Sequence, residues 1–108
     1  MKIDTTLANK IPYGPGYLYR VAEFVAAQVP GSVIDEAKTT ESVYIYLPGA
    51  KSPVRLSFHR FYSSNYYPSA ITPKTKKGLP AQLDKAIRAA IVGAKRHQDV
   101  PTWEAINA

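Results

Sequence analysis

The chain has 108 residues, enough for one domain with one core, and no cysteine, which excludes disulfides, thiolate zinc sites and cysteine nucleophiles together. Fourteen Lys and Arg against eight Asp and Glu give a net charge of +6 at pH 7. The excess is local, since residues 1–73 sum to +2, residues 74–97 to +6 and residues 98–108 to −2, and such a stretch is either a polyanion footprint or a solubilised helix surface.

Residues 1–14 lack periodicity and are expected as a loosely attached segment of a single domain 1–108, contributing Ile3 or Leu7 to an edge. The start MKIDTTLANK has no apolar signal core and no apolar stretch approaches the length of a membrane span, so the expectation is a soluble, cytoplasmic protein with no membrane contact. Pro12-Tyr13-Gly14-Pro15-Gly16 is a turn cluster, and Pro15 suits the first turn of a helix. Over 16–29, Leu18, Val21, Ala22, Val25, Ala26 and Val29 form one stripe with Tyr17 and Phe24 beside it, and Pro30-Gly31 stops the run. Residues 32–38 read as a short edge strand whose Asp35, Glu36 and Lys38 discourage edge pairing, or as a segment outside the sheet.

The centre of the chain is 41–62, ESVYIYLPGAKSPVRLSFHRFY. Val43, Ile45 and Leu47 alternate with Ser42, Tyr44 and Tyr46, and Val54, Leu56 and Phe58 alternate with Arg55, Ser57 and His59, which is the period of two strands. The Pro48-Gly49 pair between them fits a type II turn. The aliphatic set should face helices, leaving Tyr44, Tyr46, Arg55, Ser57 and His59 on the other face. Such a face can stack bases on Tyr and contact phosphate through Arg and His, or consist simply of good strand formers.

Residues 66–72 can form a further strand or a loop. Gly78-Leu79-Pro80 opens a second helix with Gln82 and Asp84 in its first turn and Leu83, Ile87, Ala90, Ile91 and Ala94 as its buried stripe. Gly93 lies within that pattern, weakening the helix interior or allowing close approach to the sheet. His97 closes a Lys-Arg-His helix end, favourable to the helix dipole. In the tail 98–108, Thr102 can cap one helical turn that drops Trp103 and Ile106 onto the core.

Lys74, Lys76, Lys77, Lys85, Arg88, Lys95 and Arg96 are the candidate phosphate contacts. Asp35 and Glu36 point to opposite sides of a strand, so no metal site is expected, nor any cofactor. No serine-hydrolase elbow, P-loop, dinucleotide fingerprint or metal-ligand spacing occurs. Any catalysis would be a metal-independent ribonuclease with His59 as general base and Arg55, Arg60 or a Tyr stabilising the phosphorane.

Three resemblances bear on these residues. The order helix, two or three strands, helix resembles the double-stranded-RNA-binding domain, whose lysines at the start of the last helix span phosphates, with Lys76-Lys77 the local match. Ser57, His59 and Phe61 resemble the Gly-Ser-His and aromatic pattern of HicA-type toxin ribonucleases, with Phe58 intervening. Ser42 to Leu47 with Val54 to His59 resembles a hairpin of small phage and mobile-element proteins, which implies an accessory factor in a bacterial host, some of these countering host defences.

The expected fold is therefore α+β, a small antiparallel sheet of two or three strands packed against two helices in the order α-(β)-β-β-(β)-α. The expected function is a non-enzymatic module that binds nucleic acid, RNA or DNA, or a nucleoprotein. The alternatives are a protein-protein inhibitor of a host defence complex, docking through the tyrosine face, and the ribonuclease. A homodimer through the open sheet face is a further option.

Overall fold

Val43 and Ile45 are buried, whereas Tyr44 and Tyr46 beside them are half-buried and exposed, and this alternation sets which side of the hairpin meets the helices. The computed structural model describes residues 1–36, 42–57, 62–63 and 76–108, with the backbone alone at Glu36, Tyr62, Ser63 and Lys76. Its elements are α1 (Tyr17–Ala26), β1 (Val33–Glu36), β2 (Ser42–Tyr46), β3 (Val54–Ser57), the two-residue β4 (Tyr62–Ser63), α2 (Leu79–Val92) and the one-turn α3 (Trp103–Ile106). The strands form one antiparallel sheet in the order β1-β2-β3-β4. The α+β reading holds, and residues 33–36 join the sheet as its edge strand. Residues 66–72 lie outside the described residues.

Val43, Ile45, Val54 and Leu56 meet Leu18, Val21, Ala22 and Val25 of α1 and Leu79, Leu83, Ile87 and Ala90 of α2 in one apolar cluster. Each large side chain in it contributes roughly 1.5–3 kcal/mol by leaving water. Both helices therefore cover the same face of the sheet. The turn between β2 and β3 is the expected one, with Gly49 at φ +76° and Ala50 N–H donating to the Leu47 carbonyl at 3.1 Å.

Several expectations are corrected. The N-terminal segment is firmly attached. Ile3, Thr5 and Ala8 are buried, the Asp4 backbone N–H donates to Gln28 Oε1 at 2.8 Å, Gln28 Nε2 donates back to the Asp4 carbonyl at 2.8 Å, and Thr5 Oγ1 donates to the Pro80 carbonyl at 2.8 Å. The segment bridges the turn after α1 and the first turn of α2 by single anchors, which leave no period to read, and Leu7 is exposed. Pro15 lies before α1, whose N-cap is Gly16 at φ +74°, and Val29 is buried beyond the helix end. Tyr17, expected beside the buried stripe, is fully buried.

The largest correction is at Gly93. With φ +73° and its N–H donating to the Ala89 carbonyl, it ends α2 rather than interrupting it. Asp84 then falls in the second turn. The β2–β3 loop closes over this helix end, where the N–H groups of Lys51 and Ser52 both donate to the Ala90 carbonyl at 3.1 Å. The expected cap at the tail is present, with Ala105 N–H donating to Thr102 Oγ1 at 3.2 Å, and Trp103 is buried.

The position of Gly93 predicts the sign of a substitution. In a helix interior Gly93→Ala stabilises by up to about 1 kcal/mol. At φ +73°, with an added Cβ only 3.3 Å from Lys51 Cβ, it costs about 1–2 kcal/mol. Thermal unfolding reads the difference as a fall of several degrees in Tm.

Tyr17 predicts a second effect. Its hydroxyl is buried without a hydrogen-bond partner among the described residues, and its phenol is pushed up to about 12, by desolvation first and by Tyr13 second. An unfolded phenol titrates near ~10, so the neutral ring favours the fold fully below that pH, and this stability is lost as pH rises from there through about 12. Tyr17→Phe should remove that alkaline loss and leave stability at pH 7 unchanged or raised by up to about 1 kcal/mol, as judged by denaturant titration.

Candidate nucleic-acid interface and the open sheet face

Of the seven cations expected to contact phosphate, Lys74 lies outside the described residues and Lys76 is described by backbone alone, in a 3-10 turn that leads into α2. Lys77 is exposed in that turn, immediately before Gly78 and Pro80 open the helix. Pro80 near the first position needs no hydrogen-bond partner for a missing N–H.

Arg88 is not available. Its Nε donates to Asp84 Oδ2 at 2.9 Å and its Nη1 to the Pro101 carbonyl, while the other oxygen of Asp84 accepts from Trp103 Nε1 at 2.6 Å. This side chain is only 16% exposed. Sequence spacing placed it on an open helix face, but the tail returns over that face and takes the guanidinium as its anchor.

Because Gly93 reverses the chain, Lys95 and Arg96 sit on a loop rather than on the helix, both exposed. Arg96 forms a two-bond pair with Asp99, Nε to Oδ2 at 2.7 Å and Nη2 to Oδ1 at 3.3 Å, and this carboxylate raises the guanidinium's affinity for its proton. His97 begins a 3-10 turn, His97–Asp99, instead of ending the helix. Its Nε2 lies 2.6 Å from Lys85 Nζ, so that ring nitrogen accepts from the ammonium. The contact sets the loop that carries Lys95 and Arg96 beside the middle of α2.

On the far side of the sheet, Arg55 Cζ lies 5.7 Å from the centre of the Tyr44 ring, and its Nε and Nη2 donate to Ser42 Oγ at 3.3 and 3.1 Å. Arg55 thus braces the ring in a cation-π contact. Tyr46 is exposed. Ser57, expected on this open face, is buried to 2% exposure and does not reach solvent. His59 lies outside the described residues, so the ribonuclease reading has no described base.

Register adds two residues that the sequence reading did not assign to this face. Val33 pairs with Tyr46 and Asp35 with Tyr44. Their alternation with Ile34, which packs on the core, was the available signal.

Among the described residues no three His, Asp or Glu gather as a metal site, and no helix is long and apolar enough to cross a membrane. An open cleft of about 660 Å³ lies between the N-terminal segment and α2, lined by Lys2, Asp4, Pro80, Asp84 and Trp103. Asp4 is held below the usual carboxylate range by the Thr6 hydroxyl and N–H, and Asp84 is engaged as above, so these acids serve the fold. A scan against protein-family models and searches of the curated proteins and of the solved structures found no match.

Proposed function

We propose that this chain is a small non-catalytic module that binds nucleic acid, or a nucleoprotein through its nucleic acid, along the surface from Lys77 past Lys85 to Lys95 and Arg96. The observation that carries the reading is the 2.6 Å contact between Lys85 and His97, which brings the middle of α2 against the loop that carries Lys95 and Arg96. α2 has 14 residues, so at 1.5 Å per residue this surface is about 20 Å long, comparable to roughly six nucleotides of one strand. The net charge of +6 adds long-range attraction for a polyanion. The element order, with three strands of four or five residues between α1 and α2, also accords with the resemblance to the double-stranded-RNA-binding domain, with Lys77 at the start of the last long helix. The setting in a phage or mobile element rests on the hairpin resemblance alone.

Arg88 and the exposed lysines should behave differently. Lys77→Glu combined with Lys95→Glu is expected to weaken binding of labelled RNA or DNA and to flatten the dependence of log K on log salt by about two, read by fluorescence anisotropy between about 50 and 200 mM salt. Arg88→Gln instead lowers thermal stability and shifts the slope little. An unaltered slope in the double variant would falsify the assignment of this surface.

A further inference from the structure

Where α2 ends and the chain turns back, an open cleft of about 680 Å³ lies between the helix end and the returning loop. Its volume is in the range of small-molecule sites, roughly 300–1,000 Å³. Val92, Ala94 and Pro101 give it apolar surface, and Lys95, Arg96 and Asp99 give it charge. Lys95 is exposed and has no partner among the described residues. Arg96 and Asp99, whose side chains are 69% and 42% exposed, are paired with each other. Each carboxylate oxygen can accept more than one hydrogen bond, so the pair leaves acceptor capacity on Asp99.

The cleft is braced from three directions. The N–H groups of Gly93 and Ala94 both donate to the Ala89 carbonyl, the second at 2.9 Å, which fixes the helix end. Arg88 donates to the Pro101 carbonyl. Asp99 is held through its carboxylate and through its own N–H, which donates to the Arg96 carbonyl at 3.1 Å. Behind them Ala89, Ala94, Val92 and Val100 pack as a small apolar cluster of their own. Walls held in this way lose little freedom when a ligand enters.

We infer, on the reading proposed above, that this cleft takes one unstacked base of a single-stranded nucleic acid, a base that carries an exocyclic amine. The placement of charge selects this occupant. The cleft opens on the C-terminal end of α2, the negative pole of the helix, and Asp99 adds a full negative charge, so a phosphate is repelled from the interior. An amine of adenine or cytosine donates to such a carboxylate, as cytosine does to Asp in groove readout. Uracil and thymine would turn carbonyl oxygens toward it. The flat ring of a base suits the apolar surface of Val92 and Pro101, while the neighbouring phosphates are left to Lys95 and Arg96. A duplex keeps its amines paired and its bases stacked, so it cannot supply this contact.

Fluorescence anisotropy with the full chain tests the assignment, using labelled strands of about ten residues, a length within the range of single-strand sites. One strand carries adenine, and the other carries purine, which is adenine without its amine. Wild type should bind the adenine strand about tenfold more tightly, with the same ratio at about 50 and 200 mM salt, because the lost contact is not to phosphate. A matched duplex should bind more weakly than the adenine strand, and adenosine monophosphate should compete poorly. Asp99→Asn, with its fold checked by circular dichroism, should lose most of the preference for adenine and keep the salt slope. If that variant does not fold, the comparison of the two strands on wild type decides alone. Equal affinity for both strands with a steep salt slope overturns the base site and leaves the polyanion reading standing. A duplex bound as tightly as the adenine strand, or the monophosphate competing as well as it, also overturns the assignment. Absence of binding to every strand at low salt overturns both readings.

Discussion

The half-buried carboxylate of Asp84 ties the C-terminal tail of the chain to α2. One oxygen accepts from the Trp103 indole at 2.6 Å and the other from Arg88 at 2.9 Å, and Arg88 in turn donates to the Pro101 carbonyl. Charge-assisted bonds of this kind are stronger than neutral ones, and removing the carboxylate would leave both donors without their acceptor. Its consequence reaches beyond the tail. With Pro101 and Trp103 fixed over α2, the chain between Gly93 and Pro101 has to turn back beside the helix, and that return places His97 against Lys85.

The same constraint separates cations by role. Arg88, Lys95 and Arg96 look alike as positive residues in and just after a helical pattern, yet the first is a part-buried strut, the second is exposed in a loop and the third is paired with Asp99. Charge summed along the sequence overstates the surface on offer to phosphate. The excess between residues 74 and 97 is real, but part of it serves the fold.

What could be read from the sequence was whatever is repeated along one element. The alternation of Val43, Ile45, Val54 and Leu56 gave the hairpin and its buried face, and the stripes on α1 and α2 gave two helices on that face. Edge strand β1 was legible as an option, and so was the Thr102 cap. Features that depend on partners distant in sequence were not legible. The bonds of Asp4 to Gln28 and of Thr5 to Pro80 turn an aperiodic N-terminal segment into a bridge between helices. The end of α2 at Gly93 follows from a positive φ and a loop arriving from the hairpin, and nothing in the apolar spacing of that helix announces it. Ser57 likewise has the right parity for the open face but is buried there.

The sheet divides the molecule into two surfaces of different chemistry, and this limits how they can act together. Core packing puts α1 and α2 on one face, while Asp35, Tyr44, Tyr46 and Arg55 mark the other. A polyanion lying along Lys77, Lys85 and Lys95 would meet α2 and the loop after it, with the sheet between it and the Tyr44–Arg55 pair. A substitution at Tyr44 or Tyr46 therefore acts on a surface that such a ligand does not touch.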